Sequence, residues 1–147
     1  KAGDAIFYCR TTYQLMEYWQ QFLKCPSEDA SINYFASCIN DIHKLVFSNS
    51  LKELNWNTAE LAHSSLLEEL HQLRQKAKTI YIGSKSLIIQ MLQLQLIDEL
   101  QLLIYPVIQG KGMHLFEDES LKILLELNSV KTFAGGAVVL HYSVLKN

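Results

Sequence analysis

The sequence predicts an α/β fold in which a mixed, mainly parallel sheet carries helices on both faces and closes with an antiparallel hairpin. Short apolar runs alternate with segments whose apolar residues recur at helical spacing, the order expected of parallel strands joined by helices. The last two runs instead flank Phe133-Ala134-Gly135-Gly136, where glycines allow the positive φ angles of a hairpin turn. At 147 residues the chain is long enough for one domain with a sizeable core.

Composition excludes several classes of partner and site. The net charge of −2 provides no basic surface for nucleic acid or an anionic membrane. No apolar run approaches the ~20 residues that a membrane helix needs. The three cysteines are an odd number without a CxxC pair, which predicts reduced thiols in a cytoplasmic protein. Because the five histidines show neither HxH nor HExxH spacing, no metal site is expected.

The first half of the chain predicts two helices between short strands. Asp4 to Cys9 is an apolar run and predicts a buried strand. The apolar stripe of the following helix consists of Tyr13, Met16, Trp19, Phe22 and Leu23, and Pro26 ends it. A weaker helix is predicted from Asp29 to Ile39, with Ile32, Phe35, Ala36 and Ile39 on one side. Strands are expected at Lys44 to Phe47 and at Ala59 to Ala62, joined by a loop that Leu54 and Trp56 anchor.

The second half begins with a capping box, in which Ser65 caps a helix and Glu68 reaches back to it. The buried face of this helix is expected to hold Leu66, Leu67, Leu70 and Leu73, with a basic turn from Lys76 to Lys78 at its end.

The segment from Thr79 to Asp118 organises the rest of the predicted fold. Thr79 to Ile82 predicts a strand, Gly83 a turn, and Ser84 the cap of a helix with Leu87, Ile88, Met91 and Leu92 on its apolar face. Leu100 to Val107 predicts the next strand, so the unit is expected to be a right-handed βαβ crossover with a parallel strand pair. Leu121 to Thr132 and Ala137 to Leu145 then form the hairpin.

Three turns at strand ends carry the candidate chemistry. Arg10-Thr11-Thr12, Ser48-Asn49-Ser50 and Gly83-Ser84-Lys85-Ser86 each follow a predicted strand. Ligands of open α/β sheets gather outside the carboxyl ends of the strands, and free amides at a helix start suit a phosphate. Each turn also has an ordinary structural interpretation, as a helix cap, a polar turn or a βα connection. Gly83 belongs to neither a GxGxxG sequence nor a P-loop, and Gly110-Lys111-Gly112 predicts a tight loop.

The chain resembles a known family along nearly all of its length. The segments that carry the resemblance are DAIFYCRTTYQLMEYW, LVFSNSLKELNW and TIYIGSKSLIIQMLQLQLIDELQLLIYPVIQGKGMHLFED, followed by the closing hairpin. They are similar to the C-terminal domain of the riboflavin-biosynthesis reductase and its dihydrofolate reductase-like relatives. The resemblance implies a three-layer α/β/α sandwich, with residues 1–147 as a single domain that lacks the family's first strand and helix. It further implies NADPH as cofactor, a pyrimidinone- or pteridine-like heterocycle as substrate, and a homodimer.

The resemblance also assigns roles to the three turns. Arg10 corresponds to the arginine that faces the 2′-phosphate of the cofactor, and Thr11 and Thr12 to residues that hold its diphosphate. Ser48 and Asn49 correspond to the turn on the adenosine side. The turn against the diphosphate and nicotinamide corresponds to Gly83, Ser84, Lys85 and Ser86. No catalytic residue is assigned.

Two departures from the family pattern leave other functions open. Cys9 stands where the family usually has glycine, and Asn49 where an arginine is frequent. A nucleotide-binding module that kept the fold without the chemistry is therefore one alternative. The other is an interaction protein that dimerises through the apolar run from Leu100 to Ile108.

Overall fold

The computed structural model describes residues 3–77, 79–116 and 122–146. The chain forms two compact units, Lys1–Leu87 and Ile88–Asn147. Strands pair in parallel in the first unit and antiparallel in the second, so the predicted α/β class with a closing antiparallel hairpin is confirmed. None of the helices in the described residues is long and apolar enough to cross a membrane.

The first unit contains a four-stranded parallel sheet. Its strands are β1 (Ala5–Cys9), β2 (His43–Phe47), β3 (Ala59–Leu61) and β4 (Ile80–Ile82), in the order β3-β2-β1-β4. The helices are α1 (Arg10–Met16), a 3-10 helix (Glu17–Gln20), α2 (Gln21–Lys24), α3 (Ala30–Asp41) and α4 (Leu66–Arg74). Helix α5 (Lys85–Gln93) begins in this unit. The central strands β1 and β2 have the most buried residues, as expected for parallel strands.

An aromatic and aliphatic core fixes α1 to the sheet. The buried members of this core are Ile6, Tyr8, Tyr13, Ile42, Val46 and Trp56. The hydroxyl of Tyr13 accepts a hydrogen bond of 3.0 Å from the amide of Asn55. This bond ties α1 to the loop before β3. Trp56 in the same loop is 4% exposed and is a member of this core, so it anchors the loop as predicted.

Lys44 is a fully buried cation within β2. Its ammonium donates to the carbonyls of Asn40 and Ile42 at 3.2 and 2.8 Å and to the hydroxyl of Thr58 at 2.7 Å. It also lies 4.1 Å from the ring centre of Trp56. Burial lowers the pKa of Lys44 to about 8, against the opposing effect of Asp41. The three acceptors account for all three ammonium protons, which is how the charge is tolerated in the core.

Two predictions about helix starts and faces are wrong. The interpretation of Arg10-Thr11-Thr12 as a helix cap is wrong, because α1 already begins at Arg10 and its N-cap residue is Cys9, which is in the extended conformation. Leu67 was expected on the buried face of α4, yet it is 49% exposed, whereas Leu66 and Leu70 are buried and Leu73 is half-buried.

Other helix predictions are confirmed. The capping box of Ser65 and Glu68 is present in both directions. The helix predicted from Asp29 to Ile39 is present as α3, and the side chain of Asp29 caps it by accepting from the amide of Ser31. The predicted basic turn ends at Lys78, which lies outside the described residues. The hydroxyl of Ser84 accepts a hydrogen bond from the amide of Cys9. The role of Ser84 as the cap of α5 stays a prediction.

The second unit contains a three-stranded antiparallel sheet. Its strands are β5 (Glu99–Ile104), β6 (Leu125–Thr132) and β7 (Val138–Val144), in the order β5-β7-β6. The predicted parallel pairing of the strands before and after α5 is wrong, because β4 pairs with β1 whereas β5 pairs antiparallel with β7. The hairpin of β6 and β7 is confirmed, with φ of +82° at Gly136. The segment 117–121, which includes the predicted strand start at Leu121, lies outside the described residues.

Candidate functional site

The three candidate turns follow adjacent parallel strands. Strand β1 lies between β2 and β4 in the sheet, and parallel strands end at the same edge. The turns after Cys9, Phe47 and Ile82 therefore start at neighbouring points. All three segments follow strand ends as predicted, but Arg10-Thr11-Thr12 form the first turn of α1 and not a separate turn before it.

A buried serine joins the turns after β1 and β4. Ser84 is 0% exposed, and its hydroxyl oxygen accepts a hydrogen bond of 2.8 Å from the amide of Cys9. The amide of Gly83 donates to the carbonyl of Phe7 at 2.9 Å and extends the β1–β4 ladder by one bond. Ser84 therefore fixes the position of the backbone where β1 passes into α1.

The thiol of Cys9 lies among hydroxyl groups from both turns. Its sulfur is 3.6 Å from Oγ1 of Thr12. Burial acts to raise the pKa of this thiol, but hydrogen bonds from the Ser84 side chain, the Thr12 backbone and hydroxyl, and the Ser86 side chain outweigh burial and lower the pKa to about 7. The same donors would stabilise any anion at this point. Three residues of the predicted set, Thr12, Ser84 and Ser86, thus converge on this sulfur.

A second contact joins the turns after β1 and β2. Nη1 of Arg10 donates to Oγ of Ser50 at 3.0 Å, and Ser50 Oγ is 3.4 Å from Ser48 Oγ. Ser48 Oγ also accepts from the amides of Ser50 and Leu51 at 3.2 and 3.1 Å, which shapes the turn. A guanidinium has five N–H donors, and the bond to Ser50 uses one of them. Arg10 is thus an exposed cation held at the sheet edge.

Gly83 is required by packing against the core. A Cβ at this position would lie 2.7 Å from Cδ1 of Tyr8 and closer still to Cε1. Tyr8 is 2% exposed, and burial raises the pKa of its hydroxyl to about 12. Packing against Tyr8 therefore requires glycine at position 83, whether or not a ligand also approaches the backbone there.

The remaining predicted residues are placed less closely. Thr11 and Asn49 are exposed, and the described part of the chain shows no side-chain hydrogen bond for either. Lys85 is the half-buried first residue of α5. Sequence reasoning missed two contacts, Ser50 with Arg10 and Tyr8 beneath Gly83. Ser50 itself belongs to the Ser48-Asn49-Ser50 turn that the sequence singled out, but its bond to Arg10 was not predicted. No pattern in the sequence indicated that Tyr8 packs against Gly83.

No cluster of three histidine, cysteine, aspartate or glutamate side chains suited to a metal occurs within residues 3–77, 79–116 and 122–146. Cys9, Cys25 and Cys38 are unpaired thiols. The site offers hydroxyls, the cationic side chains of Arg10 and Lys85, and backbone amides, which suit an anionic ligand.

Comparisons with known proteins place the chain in a recognised group. A family model described as the RibD C-terminal domain matches residues 24–139. The uncharacterised protein YyaP of Bacillus subtilis strain 168 is 31% identical over 141 residues, which covers 95% of this chain and 73% of YyaP.

Solved structures of other proteins share the fold of this chain. A protein assigned to riboflavin biosynthesis, from Shewanella sp. PV-4, superposes with a TM-score of 0.74 at 18% identity, over 98% of this chain and 75% of that one. A pyrimidine reductase-like protein from Corynebacterium diphtheriae gives a TM-score of 0.62 at 18% identity, over 99% and 77%. At these identities the structures support the fold alone.

Proposed function

The chain belongs to the RibD C-terminal domain family, and on this premise we propose that it is an NADPH-dependent reductase of a pyrimidinone- or pteridine-like heterocycle. The family supports the reaction class, and the solved structures support the fold that such a reductase would need. NADPH would supply a hydride to the ring.

The observation that carries the proposal is the joining of three turns into one polar edge. The hydroxyl of Ser84 accepts from the amide of Cys9, and the guanidinium of Arg10 donates to the hydroxyl of Ser50, so hydrogen bonds link all three strand ends. A dinucleotide phosphate is long enough to contact several strand ends, and this geometry is common in α/β folds. Hydroxyls and a fixed guanidinium match the acceptors of a diphosphate and a 2′-phosphate.

Each residue has a role in this proposal. The 2′-phosphate would contact Arg10, which Ser50 orients. The diphosphate would lie against Thr11, Thr12 and the turn of Gly83, Ser84, Lys85 and Ser86, with Ser48 and Asn49 on the adenosine side. The residues present fit the cofactor at the Arg10 end, because the guanidinium there is exposed and held in place.

A titration followed by cofactor fluorescence tests the proposal. We expect Arg10→Gln to weaken NADPH binding by about 10-fold to 150-fold and to leave NADH binding nearly unchanged, because one charge-assisted phosphate contact contributes about 1.5–3 kcal/mol. Arg74→Gln, at the end of α4, is the matched control. Failure of the wild-type protein to bind NADPH at millimolar concentration, or equal loss of NADPH and NADH in Arg10→Gln, contradicts the proposal.

A non-catalytic nucleotide-binding protein is the second candidate. It is favoured by the Cys9 side chain, which occupies the start of α1 and is hydrogen-bonded to the Thr12 and Ser84 region. If Cys9 and Asn49 limit cofactor binding, Cys9→Gly combined with Asn49→Arg raises NADPH affinity by about 10-fold or more. An unchanged dissociation constant argues against this explanation of the departures.

We also propose that the protein is a homodimer that acts on a small heterocycle in the cytoplasm. In the run from Leu100 to Ile108, which would form the interface, Leu100 is buried whereas Leu103, Ile104 and Ile108 are exposed. Light scattering on Leu102→Lys separates the alternatives: a folded monomer supports that interface, and unfolding indicates a core position.

A further inference from the structure

Two tyrosines lie in the core that fixes α1 to the sheet, and their hydroxyl groups differ. Tyr13 is 1% exposed and Tyr8 is 2% exposed. The hydroxyl of Tyr13 accepts from the amide of Asn55 at 3.0 Å. Within the described part of the chain, no protein group forms a hydrogen bond with the hydroxyl of Tyr8. Because buried polar groups in proteins usually have a partner, an unpaired hydroxyl at this depth needs an explanation.

The hydroxyl of Tyr8 is the open point of an otherwise enclosed side chain. Among the described residues, every side-chain nitrogen or oxygen that is fully enclosed has a hydrogen-bond partner. Since the hydroxyl of Tyr8 has no partner, it is not fully enclosed, and the small exposure of this residue includes its oxygen. An atom from outside the core can therefore reach it.

The hydroxyl end of Tyr8 lies at the turn between β4 and α5. Phe7 pairs with Ile82, and the amide of Gly83 donates to the carbonyl of Phe7, so Tyr8 and Gly83 are neighbours across the two strands. A Cβ at Gly83 would lie 2.7 Å from Cδ1 of Tyr8 and closer still to Cε1, the ring carbon next to the one that bears the hydroxyl. The outer half of the ring is thus the part nearest to the glycine. In the proposed function, this turn lies against the nicotinamide.

The surroundings of Tyr8 favour an uncharged acceptor over a phosphate. Burial raises the pKa of its hydroxyl to about 12, so the group is protonated and able to donate at neutral pH. The core cluster around Tyr8 consists of uncharged side chains. The ammonium of Lys44, which lies against Trp56 of this cluster, is already bonded to three acceptors. A phosphate beside Tyr8 would lose its hydration without gaining a counter-ion, whereas a carbonyl oxygen needs only a donor.

We propose that the hydroxyl of Tyr8 donates a hydrogen bond to a ring carbonyl of a bound ligand, either the carboxamide of nicotinamide or the amide carbonyl of a heterocyclic substrate. Tyr8 then determines specificity, because a ring without a carbonyl leaves the hydroxyl unpaired. The inference rests on the proposed reductase function and adds a donor that recognises the ring. Glycine at position 83 acquires a second consequence, since it admits the outer half of the Tyr8 ring to the turn.

The variants Tyr8→Phe and Tyr13→Phe test the proposal, because each removes one hydroxyl and keeps the ring. We expect Tyr8→Phe to keep the melting temperature of the wild type and to weaken ligand binding by about 3-fold to 10-fold, the effect of one neutral hydrogen bond. Tyr13→Phe is the matched control. It is expected to lower the melting temperature by about 2–6 °C, because the amide of Asn55 loses its partner, and to bind ligands as the wild type does.

A set of probes distinguishes the two rings. Calorimetric titration compares NADPH with 2′-phospho-ADP-ribose, which lacks the nicotinamide. Ligand-observed NMR follows free nicotinamide and uracil, with pyridine as the ring that has no carbonyl. If Tyr8→Phe loses affinity for NADPH and nicotinamide but not for 2′-phospho-ADP-ribose or pyridine, the contact is with the nicotinamide. A loss confined to uracil identifies the substrate ring.

Several results overturn the inference. They are a Tyr8→Phe protein that binds NADPH, nicotinamide and uracil as the wild type does, an equal loss of affinity for NADPH and 2′-phospho-ADP-ribose or for nicotinamide and pyridine, and a fall in melting temperature equal to that of Tyr13→Phe. The last result would mean that the hydroxyl of Tyr8 has a partner inside the protein.

The same measurements separate this inference from the proposed function. Wild-type binding of NADPH together with an unaffected Tyr8→Phe protein contradicts the inference and leaves the proposed function intact. Wild-type binding of nicotinamide or uracil without NADPH, weakened in Tyr8→Phe, contradicts the proposed cofactor and supports the role of Tyr8. A wild-type protein that binds neither NADPH nor the two carbonyl rings overturns both.

Discussion

Replacing Gly83 by alanine tests whether this glycine serves the core. The added Cβ would lie 2.7 Å from Cδ1 of Tyr8, well inside van der Waals contact. The ring cannot move aside easily, because Tyr8 is a buried member of the core that also holds Tyr13 and Trp56. Overpacking of this kind costs about 1–3 kcal/mol. The backbone at Gly83 does not have positive φ, so the cost comes from the contact alone.

Urea unfolding followed by tryptophan fluorescence measures this cost. We expect Gly83→Ala to lower the free energy of unfolding by about 1–3 kcal/mol, or the melting temperature by about 2–4 °C for each kcal/mol. Gly110→Ala is the matched control, because a Cβ there meets nothing within 4 Å. In a Tyr8→Leu background the ring is absent, and the effect of Gly83→Ala is expected to shrink.

Two results would refute this reasoning. One is a Gly83→Ala protein whose free energy of unfolding stays within about 0.5 kcal/mol of wild type, the range of ordinary surface substitutions. The other is an equal loss in the wild-type and Tyr8→Leu backgrounds. In the first case, close approach of a ligand would be the reason for a glycine at position 83. Gly83→Ala would then weaken NADPH binding without lowering the free energy of unfolding.

Three further predictions concern titration and capping. Between about pH 8 and its ordinary pKa of 10.5, Lys44 binds fewer protons in the folded state than in the unfolded state. Its contribution to the free energy of unfolding therefore rises with pH across that range. Urea unfolding measured at several pH values is expected to show this rise in the wild-type protein and not in Lys44→Met. Alkylation of Cys9 by iodoacetamide, read by mass spectrometry, has its midpoint near pH 7, and Ser84→Ala moves the midpoint upward. Ser65→Ala removes the capping box shared with Glu68 and costs about 0.5–2 kcal/mol in the same urea assay; no loss would contradict the cap.

Most elements of the fold could be predicted because their signals are local. The capping box at Ser65 and the apolar run of β1 depend on neighbouring residues. The pairing of β5 could not be predicted, because periodicity distinguishes a strand from a helix and does not identify the neighbouring strand. Chain order favoured β4 as its partner, whereas β5 pairs with β7, some 40 residues further along.

The candidate site was predictable in its location and not in its contacts. Polar residues at strand ends indicated the turns of Arg10, Ser48 and Gly83, and the resemblance connected them. The bond from Cys9 to Ser84 joins positions 75 residues apart, so no local pattern carries it. The departure at Cys9 was visible in the sequence, but the lowered pKa depends on hydroxyls that only the fold brings near.

The position of β1 between β2 and β4 also implies an order of assembly. Ala5 pairs with His43, 38 positions later, and with Ile80, 75 positions later. Closing a loop of twice the length costs about 0.6 kcal/mol more in chain entropy. We therefore expect β2 to join β1 first and β4 to join last during folding. The bond from Ser84 to Cys9 forms only when β4 docks, so a chain emerging from the ribosome would lack the completed turn until residues beyond Ser84 are available.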